Sequence, residues 1–181
     1  MKFSETSLSG SFIIDLEIKG DARGWFARTF CKKEFSAIGH EKDWVQMNHS
    51  FSSEKGTVRG MHFQQHPFSE IKMVRCIAGA VFDVIVDIRK DSPTFLKWIG
   101  VELSAVNKKM IYIPEGFAHG FQTLTTDCEL IYHHSAFYEP AAERGLNVLD
   151  PEIKIEWPVE IKVLSDRDKS HPFINNQFKG I

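Results

Sequence analysis

Val81-Phe82-Asp83-Val84-Ile85-Val86-Asp87-Ile88 carries the strongest structural signal in the chain. Its even positions are all apolar, while its odd positions alternate Val81, Asp83, Ile85 and Asp87. Successive side chains of a strand point to opposite faces, so one face is dry and the other holds two carboxylates. Such a strand lies between a core and either a polar cavity or solvent. Similar runs precede it at 11–16, 25–30, 45–51, 57–64 and 71–77, and follow it at 98–103, 110–113, 117–124 and 129–135. Most are bounded by Gly, Pro, Asn, Asp or Ser. Cys31 to Gly39 is the only convincing early helix, short and closed by its glycine. Many short strands imply a sandwich or barrel rather than a βαβ sheet. The tail after Asp150-Pro151, richer in charge and proline, is expected to wrap the barrel with a short helix or turns. Without repeat or linker, residues 1–181 read as one domain.

Composition narrows the function classes. In 181 residues, 22 Lys+Arg oppose 24 Asp+Glu, a net charge of −2 that argues against a nucleic-acid partner. No run of 18 apolar residues exists, and Met1-Lys2-Phe3-Ser4-Glu5-Thr6 lacks an apolar signal core, so a cytoplasmic protein without a membrane partner is expected. Cys31, Cys76 and Cys128 are odd in number, widely spaced and without a Cys-x-x-Cys pair, which predicts reduced thiols with packing roles. Eight histidines are more than a chain of this size needs.

Two segments resemble the paired motifs of the cupin superfamily of small β-barrels. Gly56-x5-His62-x-Gln64 begins the first, and Lys72-x6-Gly79 closes it after a longer interval. Pro114-x-Gly116-x2-His119 matches the centre of the second. Where metal-binding cupins offer three His and one Glu, this chain offers His62, Gln64, Lys72 and His119. A protonated lysine cannot ligate a divalent ion and repels one, so the expectation is a barrel without a metal. Imidazole and ammonium together suit a different chemistry. A neutral histidine can take a proton from carbon when an adjacent ketone acidifies it, and an ammonium can hold the enolate oxygen. Inversion then needs a proton donor on the opposite face. The hydroxyl of Tyr132, in Glu129-Leu130-Ile131-Tyr132-His133-His134, is a candidate.

Further motifs follow in order. They are Asp21-Ala22-Arg23-Gly24-Trp25-Phe26, Gln46-Met47-Asn48-His49-Ser50, Arg59-Gly60-Met61-His62-Phe63-Gln64, Lys72-Met73-Val74-Arg75, Ser92-Pro93-Thr94-Phe95 and Ile113-Pro114-Glu115-Gly116-Phe117-Ala118-His119. Across roughly residues 3 to 174 the chain resembles the dTDP-4-dehydrorhamnose 3,5-epimerases. The resemblance implies an all-β, cupin-type double-stranded β-helix (jelly-roll) barrel with short helices in the first third and the tail. It implies a homodimer with no metal or organic cofactor, acting on a nucleotide-linked 4-keto-6-deoxyhexose. It makes His62 the catalytic base, Asp168 its orienting carboxylate, Lys72 the group near the substrate carbonyl and Tyr132 the proton donor. His119 becomes a second cavity histidine. Arg23, Gln46, Asn48, Arg59 and Glu143 fall on substrate-contacting positions, and Tyr138 on an aromatic that stacks on the base.

Two residues sit awkwardly in that pattern. Strict alternation from His62 puts Gly60 and Gln64 on its face and Arg59 on the other, so either Gly60 permits a bulge or Arg59 serves another part of the site. Arg28 stands where dTDP-sugar members carry glutamate, which leaves CDP or GDP open as the nucleotide. Inversion at C3 or C5 alone, a non-catalytic sugar-nucleotide-binding cupin and a metal-dependent cupin are the alternative readings. The apolar opening strand ahead of Asp21 is available to a partner's sheet edge.

Overall fold

The computed structural model describes residues 1–181. In chain order the first strands are β1 (Lys2–Glu5), β2 (Phe12–Asp15), β3 (Lys19–Asp21) and β4 (Gly24–Phe26). Helix α1 (Lys32–Phe35) and a 3-10 turn over Ser36–Ile38 then end at Gly39, whose φ of 77° stops the helix as expected. The barrel strands are β5 (Gln46–Ser52), β6 (Thr57–Gln64), β7 (Lys72–Ala78), β8 (Ala80–Asp87), β9 (Trp98–Ser104), β10 (Met110–Ile113), β11 (Phe117–Thr123) and β12 (Cys128–His134). Two short strands, β13 (Glu143–Gly145) and β14 (Val163–Leu164), and helix α2 (Asp166–Lys169) follow toward the end of the chain.

Two sheets form, in the orders β1-β2-β10-β7-β12-β5 and β13-β6-β11-β8-β9, with β14 parallel to β6. This is the jelly roll that the family resemblance implies, within the sandwich-or-barrel choice that the strand spacing allows. Val74, Cys76, Val81, Ile85, Ile111, Ile113, Phe117, Phe121 and Leu130 fill the space between the sheets. Each such side chain contributes about 1.5–3 kcal/mol relative to exposure. Val84, Val86 and Ile88 face the other way, into a second core with Met61, Phe63, Leu146 and Ile153. Ile155, Trp157, Ile161, Ile174 and Phe178 of the tail cover that core. A third, under α1, joins Phe35 to Ile14, Met73, Met110 and Tyr112.

Both faces of β8 are therefore buried, and its two carboxylates diverge. Asp83 is enclosed in the barrel beside His119. Asp87 instead organises a loop at the barrel end, accepting from Arg89, Ser92 and Thr94. These donors hold its carboxyl at about 2, although burial works the other way.

Two expectations are corrected. The run at 25–30 is a strand only as far as Phe26, where it pairs with Lys19–Asp21 as a small separate hairpin. The opening strand is not free, because β1 and β10 flank it. Strands β1, β3, β13 and β14 have weak patterns of their own and exist because a neighbour supplies hydrogen bonds. All three cysteines are free. No helix is long and apolar enough to cross a membrane.

The conflict over Arg59 resolves at a bulge. Between the pairs His119↔His62 and Phe121↔Arg59 the register shifts by one residue. Gly60 absorbs the extra residue with φ +144°, and a Cβ there would lie 2.6 Å from the Cα of Gly120. Met61 is thereby sent to the outer core while Arg59 and His62 both face inward. Gly60→Ala is predicted to lower stability by roughly 1–3 kcal/mol or more, from backbone strain plus the collision with β11. Thermal unfolding checks this, and an unchanged melting temperature would mean that the bulge tolerates a side chain.

Candidate active site

A cavity of about 850 Å³ opens between the sheets. β5, β7 and β12 supply one wall, β6 and β11 the other, and the α2 segment closes part of the rim. His62, Lys72, Tyr132, Asp168, Gln46, Asn48, Arg59, His119, Tyr138 and Glu143 all line it. Arg23 does not. It sits on the β3–β4 hairpin, 90% exposed and paired with Asp21, because that hairpin projects from the sheets rather than lining them.

His62 and Asp168 are 106 residues apart, and Nε2 of the imidazole lies 2.7 Å from the carboxylate. Ser165 caps α2 by accepting the backbone N–H of Asp168, and the N–H of Gly60 donates to the same carboxylate. Burial would raise the carboxyl of Asp168, but His62 and the Gly60 N–H hold it below the usual range. An ionised acceptor on Nε2 leaves Nδ1 of His62 as the nitrogen able to take a proton. His171 is a third member of this corner, and the ligand atoms of His62, Asp168 and His171 lie within 4.8 Å of one another. This trio, rather than the four cupin-like positions, is the group that could hold a metal ion. Gln64, at one of those four positions, spends its amide on the loops at Phe68, Phe137 and Glu139.

Across the cavity, the Tyr132 hydroxyl is 2.9 Å from Ser50 Oγ. Burial pushes this phenol well up, so it stays protonated at neutral pH. His119 Nε2 is 3.0 Å from both oxygens of Asp83, whose carboxyl is raised by complete burial despite the imidazole beside it. Lys72 Nζ is 3.1 Å from Glu70. Toward the rim, Arg59 donates to Ser52 and Phe51, while Glu143 joins Arg167 and the Tyr138 hydroxyl.

Sequence reasoning missed Glu70, His134, Ser50 and Arg167 as cavity residues. His134 was within reach, since period-two alternation from Tyr132 puts it on the same wall. Glu70 precedes its strand in a loop and carries no periodic signal.

A jelly-roll barrel with a carboxylate-backed imidazole on one wall and a protonated phenol and an ammonium on the other defines a carbon-acid isomerase. The comparisons make this specific. The family model of dTDP-4-dehydrorhamnose 3,5-epimerase matches residues 5–176. An enzyme of that name from Shigella flexneri is 48% identical over 169 residues, 93% of each chain. The crystal structure of the Legionella pneumophila dTDP-6-deoxy-D-glucose-3,5-epimerase, in complex with dTDP-4-keto-L-rhamnose, superimposes with a TM-score of 0.90. It is 39% identical, with 95% of this chain and 92% of that one covered. A 3'-monoepimerase from Streptomyces bikiniensis in complex with dTDP-quinovose superimposes at 0.87, with 36% identity over 93% of this chain and 85% of that one. The chain belongs to the dTDP-4-dehydrorhamnose 3,5-epimerase family and is an isomerase.

The lowered Asp168 carboxyl has a consequence for stability. In the unfolded chain the group titrates at about 3.9, above its folded value. Its stabilisation is complete above that pH and fades as pH falls through the folded value. Asp168→Asn is therefore predicted to remove part of the acid destabilisation below roughly pH 4. Urea midpoints across that range test this, and parallel pH slopes for both proteins would refute it.

Proposed function

We propose that this chain inverts C3 and C5 of dTDP-4-dehydro-6-deoxyglucose to give dTDP-4-dehydrorhamnose, through an enolate at each centre. The observation that carries the reading is the placement of His62 and Tyr132 on opposing sheets, so that a sugar ring between them meets a base on one face and an acid on the other. His62 Nδ1 removes the proton next to the C4 ketone, and Asp168 stabilises the imidazolium that forms. Lys72, with His119 nearby, holds the developing oxyanion in a cavity where such an interaction gains strength. Tyr132 then delivers a proton from the other wall.

Gln46, Asn48, Arg59 and Glu143 hold the nucleotide part, and Tyr138, half exposed at the rim, stacks on its base. A guanidinium fork suits the pyrophosphate. Arg28, where a glutamate was expected, is 2.6 Å from Glu34 and lines no part of the cavity, so its reversed charge is answered within the chain. The dTDP-sugar names of the relatives support thymidine over CDP or GDP. A cytoplasmic location fits the three free cysteines.

His62→Ala should abolish solvent-deuterium exchange at C3 and C5. Tyr132→Phe should keep exchange while slowing inversion by about 100-fold or more, because His62 can return a proton only to its own face. NMR of the sugar in heavy water reads both, and undiminished exchange in His62→Ala would overturn the mechanism. Deuterium at one centre only would assign mono-epimerisation instead.

The active unit, in this reading, is a homodimer whose interface uses the outer face of the first sheet. Met47, Phe51 and Ile77 are exposed there, on a half of the sheet that α1 leaves bare. A patch of this kind favours protein contact. Arg23, held out with the exposed Trp25 and Phe26, then serves the partner's cavity. Met47→Glu with Phe51→Glu should halve the mass seen by light scattering. A monomeric unsubstituted protein would refute the dimer.

A further inference from the structure

A continuous chain of hydrogen bonds, ending in an ion pair, joins the nucleotide end of the cavity to its reacting end. It runs through two residues to which neither the resemblance nor the mechanism gives a role. Lys72 Nζ lies 3.1 Å from Glu70 Oε1. Glu70 Oε2 is 2.6 Å from His134 Nδ1, and His134 Nε2 is 3.3 Å from Asn48 Nδ2. Asn48 Oδ1 accepts from Gln46 Nε2 at 3.1 Å, and Gln46 Oε1 accepts from the backbone N–H of Tyr138 at 3.0 Å.

The direction of every bond follows from its ends. A backbone N–H can only donate, so Gln46 must accept with its oxygen and donate with its nitrogen. Asn48 is set in the same way, and its amide N–H meets Nε2 of His134, which must therefore be bare. The imidazole proton is then on Nδ1 and points at Glu70. From the other side, an ammonium has no acceptor to offer. All donors run toward Glu70, and only a group that accepts at both oxygens can close the chain.

We infer that Glu70, oriented by His134, is a positioning residue that holds Lys72 as a correctly aimed ammonium and links its position to Gln46, Asn48 and Tyr138. The inference rests on the epimerase mechanism proposed above, since it gives Lys72 an anchor for its work on the enolate oxygen. Glu70, Lys72 and His134 are all nearly buried, with side-chain exposures of 8, 12 and 10%. A buried ammonium without a counter-charge tends to lose its proton. Asp83, on β8, is the other carboxylate facing Lys72, and it is already engaged with His119. Burial works to raise the carboxyl of Glu70, but His134 and Lys72 outweigh it and hold the group below its usual range. The anchor therefore stays ionised at working pH.

Glutamine is no substitute. Its amide nitrogen would face either Lys72 or His134, donor against donor. Glu70→Gln should lower kcat by roughly 100-fold and shift the alkaline limb of the kcat profile to lower pH, since Lys72 loses its counter-charge. Affinity for dTDP alone, read by calorimetry, should change by less than about threefold because the nucleotide contacts remain. Glu70→Asp, which keeps two acceptors, should recover about tenfold of the lost rate. An unmoved alkaline limb with near-normal kcat in Glu70→Gln would overturn the inference. So would loss of dTDP affinity and melting temperature with the limb unmoved, the signature of a merely structural residue. Nitrogen NMR of the unsubstituted protein reads the chain directly. His134 should carry its proton on Nδ1, and the opposite tautomer would refute the arrangement. If the unsubstituted protein exchanged no deuterium at all, the epimerase reading itself would fall, while the tautomer would still report on the chain.

Discussion

The hydrogen bond between His62 and Asp168 is the interaction on which the rest of this site depends. Its two ends come from parts of the chain with little in common. His62 sits in the middle of β6, with strands on both sides. Asp168 belongs to one turn of helix in a tail that is irregular apart from the two-residue β14. A tail of that kind keeps its place through apolar burial, and Ile155, Trp157, Ile161, Leu164 and Ile174 provide it by packing on the outer face of the second sheet. The parallel pairing of β14 with β6 then sets the tail's last approach before α2. The outer core therefore has a chemical consequence: it delivers a carboxylate to the inner face of the barrel.

The second constraint is steric. β6 must show Arg59 and His62 to the cavity while Met61 enters the outer core, and period-two alternation forbids this in a regular strand. The bulge at Gly60 satisfies both demands, at a point where β6 and β11 approach so closely that no Cβ fits on either Gly60 or Gly120. Two glycines that look like interruptions in strand patterns are thus what allow His62 and Arg59 to share one wall.

Electrostatics completes the site by pairing. Asp83 lies behind His119, Asp168 behind His62 and Glu70 behind Lys72, each carboxylate more enclosed than the group it supports. An isolated buried charge is costly, and a polar group is held in one orientation when its partner is fixed. The three pairs arrange their basic members toward the cavity. A near-zero net charge over the whole chain conceals this local order.

Much of this was legible in the residues alone. The alternation of Val81 to Ile88, the many short strands and the single early helix determined an all-β sandwich or barrel, because side-chain periodicity is a local property of the backbone, and the motif resemblance chose between the two. The ordered motifs around His62, Lys72, His119 and Tyr132 pointed to proton transfer at carbon, and the cavity contains all four. Tertiary structure alone decided the rest. Asp83 and Asp87 have the same place in an alternating pattern, yet one is buried against His119 and the other organises a loop, because their surroundings come from distant strands. Glu70 became the end of a hydrogen-bonded chain only when β7, β12 and β5 lay side by side. Arg23 matched its motif but stands outside this chain's cavity, since a motif specifies a residue type and order, whereas position depends on where a projecting hairpin is placed. Local pattern determines which face a side chain takes, and long-range pairing determines what that face meets.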